Sequence, residues 1–307
     1  MLTFLLALPI ALLLGFMAQD TGLCLVRGVN EAKNGQPAML ASILLCGVML
    51  WLFTPLANAL HAAIPFARYA VDPLFVVGGL VFGLGAAVNG GCAVATLSRL
   101  ARGQASMALT ILGWPLGWRL AAAIKMDFPH RELGAPGGME AAVIIVIALL
   151  ISAWAISGPA LRRRHWLSVM VFGGLAGLLF ILEPHWSPSD YVRDVGTALT
   201  GGMWRMQLPD LLRTALITSV ILGMAGCAVL RASFSAQPLR LGIACTHLGA
   251  GIAMGIGGAF AMGGNDKQLL TGIPALSPGA IATVLGMLTG ILLGGPLARW
   301  LQARKLV

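Results

Sequence analysis

The chain has 307 residues, of which 58% are hydrophobic and only 10% are charged, and its mean hydropathy is +0.88. A soluble domain carries about 25% charged residues, so this composition excludes an ordinary soluble enzyme and predicts an integral membrane protein. The net charge of +9 comes from basic residues that lie between apolar segments and not in one patch, which argues against a nucleic-acid-binding protein.

Nine apolar segments predict an all-α membrane protein with about nine transmembrane helices. They are Met1–Ala18, Ala38–Ala59, Pro73–Val88, Ser106–Ile124, Glu140–Ser157, Trp166–Leu182, Leu211–Leu230, Leu239–Met262 and Ala280–Leu301. Met1–Ala18 lacks the basic start and the cleavage site of a secretory signal peptide, so we predict a helix there. Glu183–Pro209 is predicted to be a polar connection.

The basic residues also predict the orientation of the chain. Short loops rich in Lys and Arg tend to stay in the cytoplasm, and Arg162-Arg163-Arg164 lies between two closely spaced segments. We therefore predict a multi-pass protein of the bacterial inner membrane. Its N-terminus is expected outside and its C-terminus in the cytoplasm.

Glycine and polar residues interrupt the apolar pattern at four places. Irregular backbone at membrane depth must be buried or must line a wet cavity. Paired glycines let the backbone approach a ligand, and a helix that begins after such a break points its positive end at the same space. The breaks therefore predict a path for a small anion. They are Gln19-Asp20-Thr21-Gly22-Leu23-Cys24, Asn89-Gly90-Gly91-Cys92, Gly226-Cys227-Ala228 and Gly263-Gly264-Asn265-Asp266.

Residues around these breaks are the predicted lining of the path. A thiol at the start of a helix ionises more readily and becomes a better partner for sulfur. The alternative is that the glycines only ease helix packing and the cysteines are small apolar fillers. The predicted path residues are Cys24, Cys92, Asn265, Gly90, Gly91, Gly263, Gly264, Asp266, Thr21 and Arg27.

The breaks also predict helix caps. Thr21 or Asp20 is expected to cap the helix that carries Cys24, and Asn265 or Asp266 the helix that starts at Lys267.

Other candidate residues have simpler interpretations. Cys46 lies in an apolar segment without a break and is predicted to be a packing residue. His247 is either a relay group or a hydrogen-bonded structural histidine. Gly251 and Gly255, four residues apart, predict a helix contact. The Cys and His spacings match no metal motif, so we predict neither a metal nor a cofactor.

A weak internal repeat accompanies the breaks. Phe82–Cys92 resembles Met254–Asn265, with one extra residue in the second copy. Paired interrupted helices in inverted halves are typical of transporters. We predict a single membrane domain over residues 1–307, built from inverted pseudo-repeats of roughly 1–160 and 166–307.

These motifs resemble the YeeE/YedE family of sulfur-compound transporters. The resemblance rests on Gln19–Val29, on Phe82–Gly103 and on Gly255–Ser277. It implies nine crossings and short helices, with loops that dip to the centre from both sides and cysteines that pass thiosulfate along. Cys24 and Cys92 match two of those cysteines, whereas Asn265 stands at the third.

The sequence thus predicts a permease, not an enzyme, for thiosulfate or a related small inorganic sulfur anion. One alternative is a membrane sulfur-relay enzyme, in which Cys92 takes sulfane sulfur and passes it to a cytoplasmic carrier protein. Another is a scaffold subunit that uses the breaks only for packing. The expected partners are the anion, membrane lipid and, for the relay, the sulfur-carrier protein; nucleic acid is not expected.

The predicted orientation can be tested with reporter fusions. A reporter fused after Val307 and one inserted at Arg164 should both lie in the cytoplasm, because the basic loop resists translocation. One inserted near Gly137 should lie outside. If the insertions at Gly137 and Arg164 report the same side, the number of crossings is wrong.

Overall fold

The computed structural model describes residues 2–62, 66, 68–124, 130–198, 209–239 and 241–304, and the regular structure in these ranges is helical. The α-helices are α1 (Leu2–Thr21), α2 (Leu25–Lys33), α3 (Ala38–Cys46), α4 (Thr54–Ala59), α5 (Pro73–Asn89), α6 (Ala93–Ala101), α7 (Met107–Ala123), α8 (Gly138–Ile156), α9 (Ala160–Leu182), α10 (Pro188–Ala198), α11 (Leu211–Leu230), α12 (Leu241–Phe260), α13 (Asn265–Lys267) and α14 (Pro278–Ala303). A 3₁₀-helix over Gly47–Phe53 joins α3 to α4, and a π-helix over Gln268–Gly272 follows α13.

The prediction of an all-α multi-pass membrane protein is confirmed. Within the described ranges, eight helical stretches are long and apolar enough to cross a membrane. The remaining predicted segment is α7, whose 17 residues extend about 26 Å, slightly less than the hydrocarbon core. Met1 and residues 305–307 lie outside the described part of the chain, so the sides of the termini stay a prediction.

Glycines set the close packing of the long helices. Between α5 and α14, and between α12 and its neighbours, the backbones lie very close together. A carbonyl oxygen of one helix occupies the space that a Cβ would need if a glycine of the other helix were replaced. The order of the contacts shows that α14 runs parallel to α5, that α12 runs antiparallel to α5, and that α7 runs parallel to α12. The predicted contact through Gly251 and Gly255 is confirmed. The pairs are Gly79 with Thr283, Gly83 with Met287, Gly78 with Gly257, Gly85 with Ala250, Gly113 with Leu248, Gly117 with Ile252, Gly251 with Thr110 and Gly255 with Trp114.

Two sequence predictions about the course of the chain are wrong. Gly226-Cys227-Ala228 is not a break, because α11 continues through it to Leu230. A lone glycine costs a helix about 1 kcal/mol, which packing can offset. The connection Glu183–Pro209 is not simply a loop either: it contains α10, and residues 199–208 lie outside the described ranges.

Candidate functional site

Three chain breaks meet inside the helix bundle, and side chains of one break cap the helix that begins at another. The amide N–H of Leu25, at the start of α2, donates to Sγ of Cys92 at 3.3 Å. The amide N–H of Ala93, at the start of α6, donates to Oδ1 of Asn265 at 3.2 Å. Within its own helix, Cys24 is the N-cap of α2, and its Sγ accepts from the amide of Arg27 at 3.5 Å.

The predicted caps are therefore wrong. Thr21 bonds back to the Met17 carbonyl inside α1, and Asp20 forms an ion pair with Arg231. The third helix starts at Asn265 and not at Lys267, so Asn265 and Asp266 belong to its first turn. The sequence did not reveal these partners because the hydrogen bonds join breaks far apart in the chain.

The breaks surround a small cavity, called here the central cavity, of about 30 Å³. This volume holds about one or two water molecules, which is too little for a polyatomic anion. The thiols of Cys24 and Cys92 both lie at its wall. No Lys or Arg is among the residues described as lining it. The lining is Leu23, Cys24, Leu25, Ile43, Cys46, Cys92, Val94, Phe172, Asn265, Asp266, Leu269 and Leu270.

Four predicted path residues thus share one cavity: Cys24, Cys92, Asn265 and Asp266. The four predicted glycines shape the backbone around it. Gly90 and Gly263 have φ of 72° and 152°, values that L-residues with a side chain rarely adopt. Gly91 is buried just before Cys92, and Gly264 is the N-cap residue of α13.

Two predicted path residues lie elsewhere. The hydroxyl of Thr21 is used inside α1, as described above. The side chain of Arg27 is 54% exposed, and its Nε lies 2.7 Å from Oε1 of Glu31. Arg27 lines a separate groove of about 580 Å³, together with Arg162, His165 and Trp166. Neither contacts the central cavity in this structure, so a direct role in the path stays a prediction for both.

Helix α10 also binds the third break, and the sequence did not predict this contact. Asp266 is 3% exposed, and its two carboxylate oxygens accept from the amide and the hydroxyl of Ser189. The amide of Gly264 in turn donates to that hydroxyl at 2.9 Å. A second small cavity, of about 10 Å³, is lined in part by Gly264, Ser189, Phe82 and Trp114.

A chain of alternating charges continues from this contact along α10. Lys267 Nζ and an Arg193 guanidinium nitrogen lie 2.7 and 2.9 Å from Oδ1 of Asp190. Arg193 and Arg213 both bind Asp194, at 2.9 and 2.6 Å. Burial raises the pKa of Asp194, but hydrogen bonds from Arg213 and Arg193 outweigh it and hold that pKa below its ordinary value. Lys267 therefore forms an ion pair with Asp190.

The local sequence carried a signal for α10. Ser187-Pro188-Ser189-Asp190 has a capping serine, a proline at the first helical position and an acidic residue in the first turn. In the structure, Oγ of Ser187 accepts from the amide of Asp190 at 3.2 Å. The pattern was missed because the mean hydropathy of the connection predicted a loop.

Asn89 fixes the second break from within α5. Its side-chain NH₂ donates to the Gly91 carbonyl at 2.9 Å and to the Thr96 hydroxyl at 2.8 Å. Its Oδ1 accepts from the Thr110 hydroxyl at 2.7 Å and lies 2.9 Å from Nδ1 of His247. This contact favours the structural interpretation of His247. The available sequence signal for Asn89 was its position, because it is a polar residue at the end of an apolar run and directly before Gly-Gly.

Comparison with known proteins agrees with this architecture. The family model for sulphur transport matches residues 22–128 and 119–293, which together take in the interrupted helices described above. The chain belongs to this family. The thiosulfate transporter TsuA of Spirochaeta thermophila is similar to it, with 25% identity over 237 residues, which are 66% of this chain and 70% of the relative. The resemblance to the YeeE/YedE family is thereby confirmed.

Replacing Asn89 tests whether this network holds the second break. Asn89→Ala removes four hydrogen bonds from a buried site and should cost about 2–4 kcal/mol of stability. The melting temperature in detergent should fall clearly below that of wild type. Asn34→Ala, at an exposed position after α2, is the matched control. Equal melting temperatures for the two variants would contradict a structural role of Asn89.

Proposed function

We propose that this protein is a permease, without a catalytic centre, that carries thiosulfate or a closely related sulfur anion across the bacterial inner membrane. Membership of the sulphur transport family supports the transport of a sulfur compound, and the similarity to a thiosulfate transporter supports the choice of anion. The observation that carries the proposal is the meeting of Cys24, Cys92 and Asn265 at the central cavity.

The cavity wall suits a soft anion better than a strongly hydrated one. Its donors are thiols, the Asn265 side chain and the positive ends of α2 and α6, and most of the remaining wall is apolar. Burying a charge without strong partners is expensive, and the cost rises with the hydration that the anion loses. Thiosulfate presents a polarisable terminal sulfur to the thiols, whereas sulfate loses strong hydration without equal compensation.

The size of the cavity implies that the path must widen during transport. An anion larger than two water molecules cannot occupy 30 Å³. Residues of the second and third breaks line both small cavities. We infer that the path is constricted in this structure, and that the short helices after the breaks move to admit the anion.

The order of the helices supports the predicted inverted pseudo-repeat. In one half, α1 is followed by a break and α2, and α5 by a break and α6. In the other half, α9 is followed by Glu183–Ser187 and α10, and α12 by a break and α13. The antiparallel contact of α5 with α12 fits an inverted relation. The counterpart of the Cys24 break is then the start of α10.

The sulfur-relay alternative is less well supported. A carrier protein would have to reach the sulfur of Cys92, which is 1% exposed and hydrogen-bonded between two helix ends. Mass spectrometry of Cys92 after turnover separates the two mechanisms. A permease leaves the thiol unmodified, whereas a relay leaves a persulfide on it.

Substitution of the two central thiols tests the mechanism. Cys24→Ala and Cys92→Ala should each lower thiosulfate uptake into proteoliposomes at least tenfold. Cys92→Ala also leaves the Leu25 amide without its acceptor, which costs about 1–3 kcal/mol. Cys92→Ser keeps an acceptor at this position and should still be defective. Cys245→Ala is the control, because Cys245 is exposed on α12. Normal transport by Cys92→Ser would remove the thiol mechanism.

Asn265 should set the preference between an anion with a terminal sulfur, such as thiosulfate, and an oxygen-only anion, such as sulfite. An amide donates a stronger hydrogen bond than a thiol and suits the oxygen atoms of an anion. Asn265→Cys should keep the fold, since a cysteine already caps α2 in the same way, and should shift preference from sulfite toward thiosulfate. Asn265→Leu should block uptake, because it removes the donor and fills the cavity.

Competition between thiosulfate and sulfite in wild type and in the Asn265→Cys variant measures this preference. The amount of folded protein must be compared for Asn265→Leu, because the Ala93 amide loses its acceptor. Normal uptake by Asn265→Leu would place Asn265 outside the path.

A further inference from the structure

Cys46 belongs to the central cavity, although the sequence predicts only a packing role for it. Its side chain is 4% exposed and shares the cavity wall with Cys24 and Cys92. As predicted, Cys46 lies in a helical segment without a break, Ala38–Ala59, but the type of helix changes there. Regular α-helix ends at Cys46, and the 3₁₀-helix Gly47–Phe53 begins directly after it. A stretch of 3₁₀-helix inside a longer helix often marks a hinge or a functional site.

The backbone next to Cys46 contacts a second irregular helix. Gly47 packs against the backbone of Leu269 and Leu270, and a Cβ on Gly47 would overlap the Leu269 carbonyl oxygen. Both leucines belong to the π-helix Gln268–Gly272, which follows Asn265 by only a few residues. π-Helical turns are also frequent at functional sites. Cys46 thus lies where two irregular helices meet at the cavity, as Cys24 and Cys92 lie where two breaks meet.

The thiol of Cys46 is able to serve a ligand. In this structure it donates to the Ile43 carbonyl, at a distance of 3.1 Å between Sγ and the oxygen. That carbonyl already lies within α3, so the S–H can rotate toward the cavity without opening the helix. The neighbouring wall is apolar and includes Ile43, Phe172 and Leu269. One further S–H therefore adds substantially to the few donors of this cavity.

We propose that Cys46 is the third substrate-contacting thiol of the path and that it favours anions with a terminal sulfur. This inference rests on the proposed function, since it assigns a specificity-determining residue to the same cavity. No covalent step is involved. The S–H turns from the Ile43 carbonyl to the anion when the cavity widens, and it turns back after release.

The test compares Cys46→Ser and Cys46→Ala with Cys227→Ser. Cys227 is the matched control, because it is 1% exposed, lies within the continuous helix α11 and is absent from the lining of the central cavity. The measurement is the KM for labelled thiosulfate and the Ki of sulfite as competitor in proteoliposomes. The ratio of Ki to KM does not depend on the amount of folded protein.

We expect both Cys46 variants to lower this ratio about two- to tenfold. Cys46→Ala loses one hydrogen bond to the preferred anion, and Cys46→Ser replaces the thiol with a hydroxyl, which suits oxygen better than a terminal sulfur. Cys227→Ser should leave the ratio at the wild-type value. A ratio in the Cys46 variants equal to that of Cys227→Ser would overturn the assignment. If wild type takes up neither anion, the proposed function itself has failed.

Thiol labelling of the wild-type protein decides the matter where the Cys46 variants do not fold. A small water-soluble methanethiosulfonate should modify Cys46 at a rate similar to Cys92 and faster than Cys227, as mass spectrometry of peptides can measure. Modification of Cys46 no faster than that of Cys227 would make it a packing residue.

Discussion

The structure depends on the need to satisfy the first amides of helices that begin inside the membrane. The first four N–H groups of a helix have no partner within it, and at this depth water is scarce. Here the Leu25 amide is satisfied by Cys92 and the Ala93 amide by Asn265. The second and third breaks thus each supply an acceptor for a helix that begins at an earlier break. The start of α2 depends on the second break, and the start of α6 depends on the third.

Helix ends and thiols act at the cavity, whereas ion pairs between charged side chains lie elsewhere in the site. At the central cavity, the positive character comes from helix ends and thiols, without a Lys or Arg among the described lining residues. One carboxylate, Asp266, also lines the cavity and is bound by Ser189. The ion pairs lie along α10, where Asp190 and Asp194 alternate with Lys267, Arg193 and Arg213. Each of these two carboxylates is shared by two cations. The thiols at the cavity and the ion pairs along α10 therefore belong to different elements.

The sequence was sufficient wherever local chemistry decides the structure. Gly90-Gly91 before Cys92 predicted a helix from Ala93, and α6 does begin there. The predicted break at Gly226-Cys227-Ala228 was wrong, because the helix tolerates the cost of one glycine there. The sequence also failed for the caps, since Leu25 and Cys92 are 67 residues apart and Ala93 and Asn265 are 172 apart. The change from α- to 3₁₀-helix after Cys46 was not predicted, because such a change leaves no mark in an apolar segment.

The glycine contacts of the long helices limit how the molecule can move. Gly79 and Gly83 of α5 lie against carbonyl oxygens of α14, and Gly117 of α7 lies against one of α12. Backbones in such close contact cannot slide past each other without steric overlap. These helices should therefore behave as a rigid frame rather than as two rocking bundles. Alternating access would then be local gating, in which a few short segments swing while the frame and its lipid-facing surface stay still.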